Sequence, residues 1–474
     1  MDVEEFRRAA HDLVDWVADY RARVAELPVR AAVAPGEVAG ALPKSPPEGP
    51  GDLKDFIAVL DEVVVPGLTH TQHPANFAWF PSNAALASVL GDIVAGGLGA
   101  LGLSWQAAPA LTEVEQVVCD WARQLCGLSA RWSGTIGDGA STASLVALLV
   151  ARERATGGSL RRGGLQGEPA PLTVYFSEDA HSSVTKAALL AGYGEGNLRL
   201  VTVRRPRREL DVDALAQLMA QDLAEGRRPA AIVTTAGTTL TTAFDPIGDI
   251  CQLARDHGAY VHVDAAMAGS AMLLPECRHL FEGVEEVDSL CWNPHKWLGS
   301  VLETSLLYVK DPASLVSVMA SDPSYLRSGR DGSVVQYRDW GLPLGRRFRA
   351  LRLWALLSLE GAAALRARLR RDLANAQRLA ALVSSTTGWE LLAPVPLQTL
   401  CVRHVPAPLG AEDLDRHTLA WCEAVNSSGA AHLTPALLDG HWMVRVSIGA
   451  EPTEWRHIEQ LWDLMREKAE GTGT

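Results

Sequence analysis

The chain has no CxxC pair, and its seven cysteines (Cys119, Cys126, Cys251, Cys277, Cys291, Cys401, Cys422) are scattered and odd in number. That argues against a disulfide framework and against a cysteine-based zinc site. No run of about 18 apolar residues without charge occurs, so no membrane-spanning helix is expected. The N-terminus opens on acids and arginines and lacks the apolar core of a secretory signal. Together these absences make a reducing cytoplasm the expected location. An excess of basic charge is missing too: 43 Lys and Arg stand against 56 Asp and Glu, a net charge of −13. That counts against nucleic acid or an anionic membrane as partner. Lys and Arg are absent altogether from residues 69–83 and 98–112. There is no internal repeat, no Walker loop and no GxGxxG fingerprint. What remains is 474 residues, 47% hydrophobic and 21% charged, an ordinary globular balance with room for two or three domains.

Along the chain, Val3, Phe6, Leu13, Trp16, Val17 and Tyr20 recur at helical spacing and predict an amphipathic helix over 2–22. The stretch Pro28 to Gly51 reads as a linker or extended arm. With the helix before it, it either wraps a partner subunit or forms a loose extension. A helix is expected over 52–66, stopped by Pro66-Gly67. The stretch His70 to Asn83 follows, rich in aromatics and proline. His70 and His73 lack a third ligand at metal-binding spacing, and aromatic loop residues beside proline more often line a pocket or an interface.

From about residue 85 helices and strands alternate. Expected strands at 172–176, 230–235 and 260–264 each run into a polar loop. This is the sequence form of an α/β fold, a mostly parallel sheet with helices on both faces. Ligands in such sheets gather outside the carboxyl ends of the strands. His181, Thr239 and Asp264 fall at such ends. Gly134 to Thr142 is a run of small residues that opens a helix at Ala143. It leaves N–H groups and a positive helix end free for a phosphate, with a hydroxyl from Ser141. Ser321–Val335 reads as a mobile loop holding one aromatic, Tyr325. A long helix is entered from Gly341–Arg349 and runs to about 380. The remainder alternates strand 397–403, helix 411–426, strand 442–448 and helix 453–469. The expected organisation is an N-terminal helical dimerisation segment (1–85), a large cofactor-binding domain (86–360) and a small α+β C-terminal domain (361–474).

Asn293-Pro294-His295-Lys296-Trp297 lies between two strand-like stretches, Ser289–Trp292 and Ser305–Val309. Taken alone, it is either a surface turn with a solvated lysine or the seat of a desolvated, nucleophilic lysine. A nucleophilic lysine, a phosphate cradle at a helix start, a strand-end aspartate and a nearby histidine match the needs of pyridoxal 5'-phosphate. Its aldehyde condenses with a lysine, and its pyridine nitrogen needs a carboxylate to stay protonated.

The motifs Asn293-Pro294-His295-Lys296-Trp297-Leu298, His262-Val263-Asp264-Ala265-Ala266 with Ala268-Gly269-Ser270, Ala180-His181-Ser182-Ser183, Gly237-Thr238-Thr239, Ser104-Trp105 and Pro343-Leu344-Gly345-Arg346-Arg347-Phe348 are highly specific in combination. On these residues the chain resembles the group II pyridoxal-phosphate-dependent decarboxylases, closest to the aromatic-L-amino-acid decarboxylases. The resemblance runs from the first helix nearly to the last. It implies a fold type I enzyme and a homodimer. By it, Lys296 binds the cofactor's aldehyde, Asp264 pairs with the pyridine nitrogen, and Ala266 and His181 flank the ring. Thr239 lies beside the cofactor, and Ala140, Ser141, Asn293 and His295 hold the phosphate. Tyr325 matches the loop tyrosine that protonates Cα. Substrate residues by the same resemblance are Trp79, Phe80, Pro81, Ser82, Leu103 and Gly345.

The implied reaction is decarboxylation of tryptophan, 5-hydroxytryptophan, DOPA, tyrosine or phenylalanine to the arylalkylamine and CO2. The alternatives are an aromatic acetaldehyde synthase or a decarboxylase of a non-aromatic amino acid. Relatives that make acetaldehydes often carry Phe at the position of Tyr325 or Asn at that of His181, and this chain has neither. The absence of cations from 69–83 and 98–112 disfavours a side-chain carboxylate on the substrate. The chain departs from the animal enzymes at Thr71, Trp79, Leu103 and Met267, where they carry Trp, Tyr, Phe and frequently Tyr. These exchanges bear on ring preference rather than on the reaction.

Overall fold

The computed structural model describes residues 1–321, 330, 332–406 and 409–471. Two compact units make up the chain. The first comprises Met1–Pro81, Ala381–Glu390 and Val402–Thr474; the second comprises Ser82–Ala380 and Leu391–Cys401.

The second unit is built on a seven-stranded sheet of β1 (Ser133–Gly137), β2 (Leu172–Ser177), β3 (Leu198–Val201), β6 (Arg228–Thr235), β7 (Tyr260–Asp264), β8 (Ser289–Trp292) and β9 (Ser305–Val309), in the order β1-β9-β8-β7-β6-β2-β3. The pairs β2–β3, β2–β6, β6–β7 and β7–β8 are parallel. β9 runs antiparallel to both its neighbours, β8 and β1. A small hairpin of β4 (Val203–Arg204) and β5 (Glu209–Leu210) stands apart. Strands β2, β7, β8 and β9 are buried along their whole length, so they read as continuous apolar runs rather than as alternations. The fold expected from alternating helices and strands is the one observed.

The helix Ala140–Thr156 packs along one sheet face. Ala140, Val146 and Val150 share a core there with Val174, Val233, Tyr260 and Cys291. Beside the sheet, the helices Leu86–Leu98 and Ala350–Leu359 lie in close contact at Gly91. A Cβ at Gly91 would overlap the backbone carbonyl of Leu351 and come within 2.9 Å of Arg352 Cα. Arg352 is 1% exposed, with Asp92 Oδ1 at 2.6 Å and the Glu303 carbonyl at 2.9 Å. The single long helix expected up to residue 380 is instead two helices, Ala350–Leu359 and Gly361–Ser385. Gly361 at φ +78° breaks the run, a conformation that glycine takes without strain.

The first unit joins the two ends of the chain. The helix Val3–Arg23 is closed at its start by a capping box between Asp2 and Glu5. Among the described residues its side chains are tied down near its C-terminal end, by Trp16 and Arg23 to Asp61, by Tyr20 to His70 and by Arg21 to Glu451. The helix expected over 52–66 is observed as Leu53–Val59 followed by wider and tighter turns up to Gly67. His70 and His73 are buried and bonded within the unit, His73 to the Ala25 carbonyl at 3.2 Å and the Ala75 N–H at 2.9 Å. A second sheet holds β10 (Trp389–Leu391), β11 (Thr399–His404), β12 (Thr434–Leu438) and β13 (His441–Ser447) in the order β10-β11-β13-β12. The helices Ala411–Ser427 and Trp455–Gly471 pack Trp421 and Trp462 against Trp389, with ring centroids 5.5 and 5.0 Å apart. β12 escaped sequence reading because its half-exposed residues show no alternation.

Replacing glycine by alanine inside a helix normally gains up to ~1 kcal/mol. At Gly91 the overlap with Leu351 reverses the sign, and Gly91→Ala is expected to destabilise by about 1–3 kcal/mol, as overpacking does. Denaturant unfolding of the two proteins measures the difference.

Candidate active site

Four of the predicted residues follow the carboxyl ends of neighbouring parallel strands. β7 ends on Asp264, β8 leads into Asn293–Lys296, β6 leads into Gly237–Thr239, and β2 leads into His181. β1 runs in the same direction as β8 and delivers Gly139 to the start of the helix Ala140–Thr156. One sheet edge therefore gathers Lys296, Asp264, His181, Thr239, Ala140 and Ser141.

Asp264 is only 6% exposed. Its Oδ1 accepts the Ala266 N–H at 3.0 Å and lies 3.6 Å from Cys291 Sγ. Oδ2 takes no hydrogen bond from any described residue. Behind Asp264 on the same strand face, His262 is fully buried between Ser289 Oγ (2.7 Å) and Ser144 Oγ (3.4 Å).

The loops beyond the strands are stitched to one another. Asn293 N donates to the Ala266 carbonyl, Ala265 N to Cys291 and Ala236 N to Asp264. Lys296 is half-buried and closes a turn onto the Asn293 carbonyl at 3.0 Å. The Lys296 carbonyl accepts the side-chain amide of Asn83 at 3.2 Å. The indole of Trp297, fully buried, donates to Asp372 at 2.9 Å. The lysine run is therefore no surface turn: its neighbours Asn293, His295 and Trp297 are all buried.

The donors suited to a phosphate are close by. The helix Ala140–Thr156 makes its first internal bond at Ala143 N, so the N–H groups of Ala140, Ser141 and Thr142 are left over from the helix ladder. Ser141 is exposed and its hydroxyl has no partner among the described residues. Asn293 Oδ1 accepts from Ser305 Oγ at 2.6 Å, which turns its amide nitrogen outward as a donor. A cavity of about 460 Å³ opens at this helix start, lined by Asp138, Gly139, Thr142, Glu303 and Ser305 among others. His295 is held through Nδ1 to the backbone of Thr304. Donors for a phosphate, an open carboxylate oxygen for a pyridinium and a lysine at the same edge fit pyridoxal 5'-phosphate.

His181 caps the helix Ser182–Leu190, its Nδ1 accepting from Ser183 N at 3.2 Å. An accepting Nδ1 places the proton of the neutral ring on Nε2, which makes Nε2 a donor. The loop that carries His181 is anchored by Asp179, whose carboxylate takes two bonds from the buried Arg208 at 2.7 and 2.8 Å. Thr239 is half-buried beyond β6, after Gly237, whose φ of +82° and contact with Ala268 leave no room for a side chain.

Among the substrate candidates, Leu103 and Gly345 are brought together by the bond from Gly102 N to the Arg346 carbonyl at 2.9 Å. A Cβ on Gly345 would meet the Leu101 methyl at 3.5 Å, an ordinary van der Waals contact. Ser82 belongs to the same unit, whereas Trp79, Phe80 and Pro81 belong to the other. Trp79 has φ +55° and sets its ring edge-on to His432. Tyr325 and most of the expected loop Ser321–Val335 lie outside the described residues.

Two buried arginines beside candidate residues escaped sequence reasoning. Arg445, 2% exposed on β13, lays its guanidinium 4.2 Å from the Phe80 ring centroid and donates to the Trp79 carbonyl at 2.5 Å. An arginine inside a buried strand was the available signal. Arg346, quoted only as part of a motif, forms a buried bidentate pair with Glu115 at 2.6 and 3.0 Å, and Glu115 also accepts the Ile136 N–H of β1. That pair holds the strand which leads to the phosphate donors.

The chain belongs to the pyridoxal-dependent decarboxylases: the model described as "Pyridoxal-dependent decarboxylase conserved domain" matches residues 35–405. It is thus a carboxy-lyase that works with pyridoxal 5'-phosphate. It is similar to tyrosine decarboxylase 2 of Narcissus pseudonarcissus, at 35% identity over 99% of this chain and 95% of that one. Phenylacetaldehyde synthase of Arabidopsis thaliana is 36% identical over 99% of this chain and 96% of its own length. Among solved structures, Oryza sativa TDC with PLP and tryptamine superposes with a TM-score of 0.96 at 33% identity, over 100% of this chain and 99% of that one.

Burial pushes His262 and His295 down to about 4, with the charge of Lys296 adding to the effect at His295 and Asp264 opposing it at His262. Between pH 6.5 and 4 an unfolded histidine takes up a proton that these two refuse. Their contribution to stability is therefore whole above pH ~6.5 and is lost as pH falls towards 4, at roughly 1 kcal/mol per pH unit for each. The apoprotein should lose stability over that range, and His262→Gln should flatten the slope. Denaturant midpoints from pH 7 to pH 4.5 check both.

Proposed function

We propose that the protein decarboxylates an aromatic L-amino acid, among tryptophan, 5-hydroxytryptophan, DOPA, tyrosine and phenylalanine, to the arylalkylamine and CO2. The observation that carries this reading is that Lys296, on its buried turn, and the open Oδ2 of Asp264 lie at one sheet edge, in a chain whose relatives bear the names of aromatic amino acid decarboxylases. The cofactor, when bound, supplies an electron-accepting ring for the electron pair of the Cα–carboxylate bond.

The chain's own residues do the rest. The Lys296 amine would hold the cofactor through its aldehyde. Asp264 Oδ2 would face the pyridine nitrogen and favour its protonated form. Ala266 and His181 would flank the ring, with His181 Nε2 as a donor for the substrate carboxylate. Ala140, Ser141, Asn293 and His295 would hold the phosphate, with Thr239 beside the cofactor. Tyr325 returns a proton to Cα. By the family resemblance, Trp79, Phe80, Pro81, Ser82, Leu103 and Gly345 would be the residues that select the aromatic ring.

A second reading, an acetaldehyde synthase, is supported by the similarity to phenylacetaldehyde synthases. His181 and Tyr325 favour the amine as product. Arg445 beside Phe80 places a cation next to a segment that has none of its own, so glutamate belongs in the test. Amine, CO2 and peroxide are to be measured across the five aromatic amino acids plus histidine and glutamate. Amine and CO2 from an aromatic substrate, without stoichiometric peroxide, are expected. Turnover of glutamate alone would overturn the aromatic assignment, and peroxide equal to CO2 would move it to the synthase.

The reading includes a homodimer in the cytoplasm. Leu90, Ile93, Val94 and Leu98 on the helix Leu86–Leu98, with Leu101 and Leu342, are exposed large apolar side chains of one unit. Phe6 on the first helix is 59% exposed. Surface of this kind marks protein contact. Ile93→Asp should shift the species seen by light scattering from dimer to monomer.

A further inference from the structure

Strand register sets three side chains in a row: Thr235 of β6 is paired with Asp264 of β7, and Asp264 with Cys291 of β8. They point to the sheet face covered by the helix Ala140–Thr156, since His262, two residues before Asp264, touches Ser144 of that helix. The two flanks of Asp264 differ. Thr235 gives it nothing: the hydroxyl is buried and has no hydrogen-bond partner among the described residues. Cys291 is fully buried, and its thiol donates to Asp264 Oδ1 across 3.6 Å. Among the described residues it is the one side chain that donates to this carboxylate; the other donor is the Ala266 N–H.

A thiol is a weak donor. Burial, with the charge of Asp264 adding to it, drives the Cys291 thiol well above its ordinary range, so it stays protonated and keeps donating. Every strong donor on Oδ1 would draw negative charge away from Oδ2. A hydroxyl or an amide at position 291 would do so, and a thiol does so least among polar side chains.

We propose that Cys291 is a positioning residue for the cofactor's ring nitrogen: by giving Oδ1 only a weak hydrogen bond, it leaves the charge of Asp264 concentrated on Oδ2. This rests on the reading that Oδ2 faces the pyridine nitrogen. Cofactor affinity should then fall as the donor at position 291 is strengthened. Cys291 takes no part in bond making, and its effect reaches the reaction through Asp264 alone.

The test titrates the apoproteins of wild type, Cys291→Ala, Cys291→Ser and Cys291→Asn with pyridoxal 5'-phosphate, followed by intrinsic fluorescence. Thermal unfolding of each apoprotein confirms folding, and Ser is the least disruptive replacement should Asn fail to fold. The dissociation constant should rise in the order Ala, Cys, Ser, Asn. The strongest donor should cost about threefold to tenfold, the reach of one hydrogen bond. kcat should fall in the same order, with KM for the amino acid unmoved. If Ala weakens the cofactor as much as Ser does, or if the series is flat, Cys291 is packing only and the inference is overturned. Asp264→Asn separates this from the underlying reading. Unchanged affinity there overturns the role of Asp264 and the inference with it. Weakened affinity there with a flat Cys291 series overturns the inference alone.

Discussion

A carboxylate buried to the depth of Asp264 is costly unless hydrogen-bond donors meet its oxygens. The surrounding structure is arranged to satisfy half of that need and to leave the other half open. The loops after β6, β7 and β8 are bonded across one another around Asp264, through Ala236, Ala265, Ala266 and Asn293. Moving the aspartate would therefore move the turn that carries Lys296. The backbone that places the aspartate places the lysine turn as well.

The buried ion pairs near the site serve the same end. Arg208 clamps Asp179 in the loop that carries His181, and Arg346 clamps Glu115 beside β1. Pairs of this kind contribute little net stability, because desolvation offsets their attraction, while breaking one leaves a buried charge and is costly. Their effect is to admit one loop arrangement and penalise others. Both aspects suit a site whose donors must meet a rigid, planar cofactor.

Much of this was legible in the sequence, for physical reasons. Strands buried on both faces leave continuous apolar runs, and polar residues at their ends stand out against them. That is why Asp264, His181, Thr239 and the run around Lys296 stood out as candidates. Contacts between distant strands leave no such trace. The row Thr235–Asp264–Cys291 depends on register, and the bond from Arg445 to Trp79 joins residues 366 positions apart. The break before Gly361 was hidden because the flanking residues are good helix formers on either side. Tyr325 was readable as a motif, yet it lies outside the described residues.

The first unit is closed by the two ends of the chain. Val29 N bonds to Gly429, Phe77 N to His432, and Ser447 N to the Phe77 carbonyl. On the ribosome the chain emerges from its N-terminus, so the first eighty residues are made long before their partners. The whole of the seven-stranded sheet is synthesised in between and has all its strands before residue 310. Vectorial synthesis thus orders assembly: the catalytic sheet forms first, and the early helix and arm wait, with their apolar faces exposed, for the last strands to arrive. A nascent chain stalled ahead of β13 would carry a complete sheet and an unmated N-terminal segment, the species on which a chaperone has most to hold.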